Sequence, residues 1–410
     1  KRVVKSNGFR TFTNMQNVKE ELYLKQTVGA NYDPNEFLIR ILSVLEMAAC
    51  YYMLYTVYDV AVKKSIKRAQ EEKRNAERAI FVFKEDIRFS KREIFVLLCI
   101  CAVYSVVAFW GLGTNKSAVV PWTPQENDAV EFEISDSVDE ICFSAGIAPD
   151  TEGYNARIGT NVTIEVSEDG ESWETAQLNE SSVFKWTLQT LPVAGNRIRL
   201  IALDNEVCIN EIAFRKMSGD TYENVKLISG DGESLIDEQD AVPVYISYYN
   251  STYFDEIYHA RTAYEHIQGL EPYENTHPPL GKLIVAAGIK IFGMNPFGWR
   301  FMGTLFGILM LPVFYHILKL LFGNVFLCAS GTFLFAFDFM HFTQTRIATI
   351  DTYAVFFILL MYDFMIQFFF MDIYKEPLKK VLGKLALCGI FMGIGIASKW
   401  TVAYGALGLA

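Results

Sequence analysis

The sequence predicts a polytopic α-helical membrane protein into which an extracytoplasmic all-β domain is inserted. Three observations favour this fold class. Hydrophobic residues make up 51% of the 410 positions, with 32 Phe and 21 Tyr, which is typical of membrane-spanning chains. The net charge is nevertheless −10, and most acidic residues lie between residues 120 and 242. On both sides of this acidic stretch, apolar segments are long enough to cross a bilayer.

The N-terminal segment, residues 1–92, contains one candidate span and a basic loop. Residues 37–60 are long and apolar enough to span, although three charged residues interrupt them. Residues 63–92 carry eleven Lys/Arg against five Asp/Glu, and a basic loop beside a span indicates the cytoplasmic side. The chain does not begin with Met and ends within an apolar run, so we expect a fragment of a longer protein.

The clearest span lies within residues 93–119. Positions 94–113 contain no charged residue, and about 20 apolar residues suffice for a helix to cross the bilayer core. Because this span follows the basic loop, the chain after it is predicted to be extracytoplasmic.

Residues 120–242 differ from their surroundings in charge and in periodicity. They contain 25 Asp/Glu and seven Lys/Arg, which excludes electrostatic binding to nucleic acid or to anionic lipid headgroups. Apolar residues alternate with period two along 162–167 and 197–202, and Asp169-Gly170 provides a turn. This pattern predicts an antiparallel β-sandwich.

Three segments of this domain resemble strands of the discoidin-like, galactose-binding-type jelly roll. They are VTIEVSEDGESW (162–173), RIRLIA (197–202) and INEIAF (209–214), within a resemblance that covers 125–216. Many such domains bind sugars through loops, and many are spacers. Trp173 and Trp186 therefore have two interpretations, packing within the domain or stacking on a sugar face.

The seven cysteines are scattered along the chain. We interpret them as small buried hydrophobic residues, because cysteine without a ligand-like spacing behaves as one. Cys142 and Cys208 both lie in the acidic domain. A disulfide between them is the alternative if that domain faces an oxidising compartment.

Apolar segments recur in residues 243–410. The predicted spans are 297–322, 325–343, 352–371 and 381–397, with a further start at 401. Alternating these spans from an outside start places the lysine-rich turn at 372–380 in the cytoplasm, in agreement with its charge. The same alternation places the polar segments 344–351 and 398–400 at the outer face, together on one side of the membrane. Asp338 is an acid within a predicted span and receives no role.

The segment 255–300 carries the residue types that chemistry requires. Asp255-Glu256 precedes an amphipathic stretch, and His277 begins the motif His-Pro-Pro-Leu-Gly-Lys. Two consecutive prolines cannot continue a helix, so His277 is predicted to lie at a fixed bend. An acid, an imidazole and Lys282 at one surface favour phosphate binding and activation of a hydroxyl. Taken alone, the Asp-Glu pair has a solvated loop as its alternative.

Four motifs in this order resemble the protein O-mannosyltransferase family. They are YFDEIYHA (253–260), THPPLGKLIVAAGIKIFG with WRFMG (276–303), TQTRIATIDTY (343–353) and GIGIASKWTVAYG (393–405). The resemblance covers 94–113 and 253–410, interrupted by the β domain. An insertion of about 130 residues before the Asp-Glu motif departs from the family pattern, and it puts the acceptor in doubt.

The resemblance implies a GT-C type membrane fold and an inverting glycosyltransferase. Such an enzyme moves mannose, or another sugar, from a polyprenyl-phosphate donor to a Ser or Thr hydroxyl of an exported protein. Carried over to this sequence, Asp255 and Glu256 are the implied catalytic pair. The implied positions for binding donor phosphate or substrate are His277, Arg300, Arg346 and Lys399, with Arg300 pairing with the acidic motif.

The chemistry of these residue types agrees with that implication. A hydroxyl that attacks a sugar carbon needs a base, and one carboxylate in line suffices for inversion. The leaving phosphate needs cations, which Arg346 supplies as a fork and Lys399 as a point charge; snorkelling to the interface is their alternative. Asp351 is expected to orient Arg346. Neither a cofactor nor a metal ion is expected, although His277 and the Asp-Glu pair imitate a ligand cluster.

Two other functions stay open at this point. One is a lipid-linked sugar transferase that acts on a cell-envelope glycan or lipid. The other is a non-enzymatic membrane anchor that displays a carbohydrate-binding domain. The expected partners are a polyprenyl-phosphate sugar donor, a protein or envelope-glycan acceptor and membrane lipids, but no nucleic acid, and a homo- or hetero-dimer stays open.

Overall fold

The computed structural model describes residues 88–150, 155–217, 224–373 and 375–409. The predicted span at 37–60 and nearly all of the basic loop at 63–92 lie outside these residues. Within the described part, a β domain is inserted between the first helix and the remaining helices.

Four helices of the described part are long and apolar enough to cross a membrane. They are α1 (Lys91–Phe109), α4 (Pro296–Phe322), α7 (Asp351–Phe369) and α8 (Leu378–Ser398). Each contains an apolar run of the length that a bilayer core requires. They confirm the prediction of a polytopic α-helical membrane protein.

The remaining helices are shorter. They are α2 (Glu256–Gln268), α3 (Leu280–Phe292), α5 (Val325–Ala336), α6 (Phe339–Gln344) and α9 (Val402–Leu407). The predicted span at 325–343 is therefore not one helix, which corrects that prediction. Asp338 lies in the break, where its carboxylate accepts a hydrogen bond from the backbone N–H of His341 at 3.1 Å. Aspartate favours such a cap over a helix interior.

The β domain is built around two strands of 17 residues, β1 (Ala129–Ala145) and β6 (Trp186–Ala202). The other strands are β2 (Ala148–Pro149), β3 (Ala156–Arg157), β4 (Val162–Ser167), β5 (Glu174–Gln177), β7 (Ile209–Arg215) and β8 (Val225–Ser229). All pairings between these strands are antiparallel. Six strands form one sheet in the order β5-β4-β6-β1-β7, with β8 also on β1, and β2 pairs separately with β3.

Register shifts between Glu133 and Glu140 divide β1 into two halves. The first half pairs with β8 and the second half with β7, while β6 runs beside both. The two halves share one buried core, in which the rings of Phe132 and Phe214 lie 5.6 Å apart. Burial of both apolar faces stabilises this arrangement. It confirms the predicted all-β domain, whereas its description as a discoidin-like sandwich stays a prediction.

Burial and ring contacts bear on the side chains of the β domain that the sequence singled out. Trp186 is only 2% exposed and packs against Cys142, so of its two interpretations packing within the domain holds and stacking on a sugar face is wrong. The Trp173 ring has one face covered by Arg199, whose guanidinium carbon lies 4.2 Å from the ring centre. Cys142 and Cys208 are buried free thiols, so the alternative of a disulfide between them is also wrong. Burial raises their pKa to about 11 and about 12.

Candidate active site

The polar motifs that are far apart in the sequence meet at one end of the helical bundle. Arg346 donates to the carbonyl of Ala108 in the last turn of α1, at 3.0 Å. Arg300, at the start of α4, donates to the carbonyl of Leu112 at 2.9 Å. At the opposite end of the same two helices, Lys319 forms an ion pair with Glu93 at 3.0 Å. We call the end at which Arg346 and Arg300 contact the chain at Ala108 and Leu112 the motif end.

Asp255 is presented to the motif end by a strained turn. Phe254, directly before it, has a φ of 54°, a left-handed conformation that a bulky side chain rarely adopts. The Asp255 carboxylate is half-buried and makes no capping hydrogen bond to α2. Burial and the nearby charge of Asp351 raise the pKa of Asp255, and Lys399 and His277 counteract them. A carboxylate with a raised pKa and without a hydrogen-bond partner among the described residues suits a general base.

Glu256 is in a different situation from its neighbour. Its two oxygens accept from Arg300 Nε and Nη2, both at 2.6 Å, and both side chains are almost fully buried. The same carboxylate accepts from the backbone N–H of Tyr253 and of Ala348, each at 2.9 Å. Glu256 therefore joins the Asp255 turn to α4 and to the segment before α7. Its oxygens are occupied, so its expected place in the catalytic pair becomes a positioning role.

The His-Pro-Pro-Leu-Gly-Lys motif forms a bend that Lys282 holds in place. Lys282 is 1% exposed and donates to the Glu274 carbonyl at 2.6 Å, the Glu274 carboxylate at 2.5 Å and the His277 carbonyl at 3.0 Å. Burial raises the pKa of Glu274, but hydrogen bonds from Lys282 and Thr276 outweigh it and lower the value to about 2. All three ammonium protons are used, so the expectation that Lys282 binds phosphate is wrong.

Arg346 lies at the edge of a cavity at the motif end. Besides Ala108, it donates to the carbonyls of Trp110 at 2.6 Å and Gly111 at 3.2 Å. The cavity measures about 500 Å³ and is also lined by Arg300 and Phe254. Within the described part of the chain, no carboxylate forms an ion pair with Arg346. An anion that enters this cavity therefore meets an uncompensated guanidinium.

Lys399 and Asp351 form an ion pair with 2.6 Å between Nζ and Oδ1. Asp351 is the first residue of α7, and Lys399 directly follows α8. The expectation that Asp351 orients Arg346 is therefore wrong, since its partner is Lys399. The charge of Asp351 lies close enough to Asp255 to raise its pKa.

The motif end thus brings the expected site residues together in two groups. Asp255, His277 and Lys399 interact electrostatically on one side, and Arg346 shares its cavity with Arg300 and Phe254 on the other. Phe254, directly before Asp255, lines the cavity of the second group. The proposed base therefore lies at the junction of the two groups.

Sequence reasoning missed His259, which is 5% exposed on α2. Burial lowers its pKa to about 4, so the imidazole is neutral at physiological pH. Its spacing from Asp255 could have identified it. Residues four apart on a helix share a face, and His259 lies four positions after Asp255. Its buried Nδ1 has no hydrogen-bond partner among the described residues.

A cluster of three carboxylates lies elsewhere, in the β domain. Glu211, Asp237 and Glu238 bring ligand oxygens within 4.8 Å of one another, and this is the only such group found in the described ranges. The oxygens of Glu211 already accept from the N–H of Glu238 and the amide of Gln239. These contacts explain the cluster without assigning it a ligand.

The β domain contacts the Asp255 turn directly. The backbone N–H of Trp186 donates to the hydroxyl of Ser251 at 3.1 Å, and the N–H of Thr252 donates to the Phe184 carbonyl at 3.2 Å. The Phe184 ring is buried and lies 5.2 Å from the ring of Tyr264 on α2. The inserted domain is therefore packed against the helix that follows the proposed base.

We expect Phe184→Ala to lower the free energy of unfolding by about 3 kcal/mol, because it opens a cavity between the β domain and α2. Thermal unfolding of the purified full-length protein measures this loss. Leu188→Ala is the matched control, since Leu188 is 41% exposed on β6, the strand that follows the Phe184 turn. Equal stability of the two variants would show that this contact does not hold the domain to α2.

Comparison with known proteins matches a family model to the C-terminal part of the chain. Residues 287–409 match the model of the family described as dolichyl-phosphate-mannose-protein mannosyltransferase. This matched range contains Arg300, Arg346 and Lys399, whereas Asp255 and His277 precede it.

Three bacterial proteins named polyprenol-phosphate-mannose–protein mannosyltransferase are similar to the chain. The protein of Mycobacterium tuberculosis is 28% identical over 185 residues, which cover 38% of this chain and 35% of that protein. The protein of Mycolicibacterium smegmatis is 31% identical over 25% of this chain and 21% of its own length. That of Corynebacterium glutamicum is 34% identical over 20% of this chain and 16% of its own length. The chain thus spans about a third of the first relative and less of the others.

Proposed function

We propose that the protein transfers mannose from a polyprenyl-phosphate donor to a Ser or Thr hydroxyl, because residues 287–409 match the protein mannosyltransferase family model and the similar bacterial proteins carry that name. One observation carries the proposal beyond the family. Asp255 is a half-buried carboxylate with a raised pKa that accepts no hydrogen bond from the residues the structure describes, and the charges of Lys399 and His277 act on it.

In the proposed reaction, the Asp255 carboxylate accepts the proton of the acceptor hydroxyl while the hydroxyl oxygen attacks the anomeric carbon. A new carbon–oxygen bond forms to the acceptor. The bond from the anomeric carbon to the phosphate oxygen breaks, and its electron pair leaves with the polyprenyl phosphate. Attack on the face opposite the leaving group inverts the anomeric configuration.

Lys399 and Arg346 supply the positive charge that the leaving phosphate requires. Arg346 carries no carboxylate partner among the described residues, and the Asp351 partner of Lys399 is 45% exposed. An anion can therefore approach both cations from outside the protein. No general acid is needed, because the phosphate leaves as an anion.

We also place the motif end and the β domain on the extracytoplasmic side. The lysines of the turn before α8 and Lys319 lie at the other end of the bundle, and the side of a membrane that is richer in lysine and arginine is the cytoplasm. The acceptor is then a Ser or Thr of an exported protein, and the donor is presented in the outer leaflet.

The test uses the full-length protein with polyprenyl-phosphate mannose labelled in the sugar and a Ser/Thr-containing peptide. We expect label on the peptide that β-elimination releases, and an unchanged rate after chelation of divalent metals. Label that reaches only a glycan or a lipid would instead support the envelope transferase. Sugar binding by the β domain without any transfer would support the non-enzymatic anchor.

A further inference from the structure

We propose that Asp351 is a positioning residue for the transfer, which holds Lys399 beside Asp255 and yields this lysine to the donor phosphate when the donor binds. The inference rests on the proposed function, because it requires Asp255 to act as the base. It concerns a residue that sequence reasoning had placed beside Arg346 instead.

The geometry of the pair supports an exchange of partners. Lys399 Nζ lies 2.6 Å from Asp351 Oδ1, but the two side chains differ in exposure, at 17% for the lysine and 45% for the aspartate. The ammonium is therefore held by the protein, while the carboxylate can rotate into solvent. A phosphate oxygen can replace the carboxylate at Nζ without moving the lysine, since both are oxygen anions that accept the same charge-assisted hydrogen bond.

Close packing holds together the segments that carry Asp351 and Lys399. A Cβ added to Gly281 would lie 2.7 Å from the Ile350 side chain and 3.1 Å from the Ser398 carbonyl oxygen. The residues before Asp351 and Lys399 thus meet at a glycine that directly precedes Lys282. Because three segments converge here without space for a side chain, the backbone segments that carry Asp351 and Lys399 are held together.

Asp351 also borders a second cavity, of about 400 Å³, between α4, α5, α6 and α7. The lining of this cavity is mainly apolar and includes Met310, Phe335, Met340 and Val355. Met340 and Val355 are exposed on the helical surface. The carboxylate thus lies where an apolar opening meets the charged motif end, which suits the approach of an amphiphilic donor.

The charges around Asp255 give the exchange a measurable consequence. Asp351 raises the pKa of Asp255, whereas Lys399 and His277 lower it; the adjacent Glu256 is neutralised by Arg300. Transfer needs the ionised base, so kcat/KM falls as the pH drops through this pKa. Removal of the Asp351 charge must move this acid limb to lower pH. Removal of the Lys399 charge must move it to higher pH.

The experiment compares pH profiles of kcat/KM for D351N and K399Q in the full-length protein, with polyprenyl-phosphate mannose and a fixed peptide. We expect the acid limb to move down by about one pH unit in D351N and up by about one unit in K399Q. The donor KM should stay equal or fall in D351N, where no carboxylate competes for the lysine. It should rise about tenfold or more in K399Q. D351E should restore the wild-type limb.

A matched control is D338N, which removes a carboxylate that lines the same cavity but does not act on Asp255. Its acid limb should coincide with that of the wild type. If D351N and K399Q both lower the rate at every pH without moving the limb, the pair is only structural and the proposal is wrong. If the D351N protein does not fold and cannot be purified, the upward shift of the acid limb in K399Q alone tests the proposal. A different result would contradict the proposed function, namely mannosyl transfer that persists when Asp255 is replaced.

Discussion

Replacement of Asp255 by Asn is expected to lower kcat for mannosyl transfer by about 10²- to 10⁴-fold, the range that a positioned general base contributes. The amide has the shape of the carboxylate but cannot accept the proton of the attacking hydroxyl. Transfer of labelled mannose to a peptide under saturating donor measures the effect. A variant that kept a tenth or more of the wild-type kcat would place the base elsewhere, and His259 and His277 would be the next candidates to replace.

The same variant separates catalysis from stability. The folded-state pKa of Asp255 is raised, mainly by burial, so its contribution to stability is lost as the pH rises through that pKa. At neutral pH the ionised carboxylate is therefore less favourable in the folded protein than in the unfolded chain. We expect D255N to unfold at the same temperature as the wild type or at a higher one. A large loss of stability would mean that the carboxylate has a structural partner.

Replacement of Glu256 by Gln is expected to lower the free energy of unfolding by about 3 to 5 kcal/mol, because it leaves the Arg300 guanidinium buried without a counter-charge. Glu256 is fully buried, and Arg300 is only 2% exposed. Glutamine keeps the size of the side chain and one acceptor oxygen, so the loss reports the missing charge. Denaturant or thermal unfolding of the purified protein measures it.

The activity of E256Q should fall together with its stability. Glu256 holds the backbone of Tyr253 and Ala348 on either side of the proposed site, and a loosened turn misplaces Asp255. E271Q is the control, since Glu271 is exposed on the loop after α2. R300K should be intermediate, because lysine keeps the charge but loses the bidentate fork. If E256Q unfolded like E271Q, the buried pair would not support the site.

The β domain has a closer relation to the site than its sequence indicated. In the sequence, its acidic charge and period-two pattern differ from those of the flanking spans, which indicates an inserted accessory domain. Its Val183-Phe184 turn nevertheless packs into the same apolar cluster as Ala260 and Ala263 of α2. Removal of residues 120–242 would therefore expose this face of α2 as well as shorten the connection, so point variants at the contact are the cleaner test.

Local patterns of apolar residues were sufficient to predict the helical membrane part and the inserted β domain. A charge-free apolar run predicts α1, and period-two alternation predicts the strands, because both depend only on which neighbours along the chain are apolar. The motif order together with the alternation of spans also predicts that Asp255, Arg346 and Lys399 lie at one end of the bundle. The break at Asp338 escaped this reasoning, since the average hydropathy of a window does not register one capping residue.

The partners of the charged residues depended on packing. Arg300 pairs with Glu256 across 44 residues of sequence, and Lys399 pairs with Asp351 across 48. Membrane topology restricts such groups to one end of the bundle, but it does not say which cation meets which carboxylate. That choice follows from how closely the helices approach, as at Gly281. The sequence therefore identified the residues of the candidate site, and the three-dimensional contacts separated the free carboxylate of Asp255 from the occupied one of Glu256.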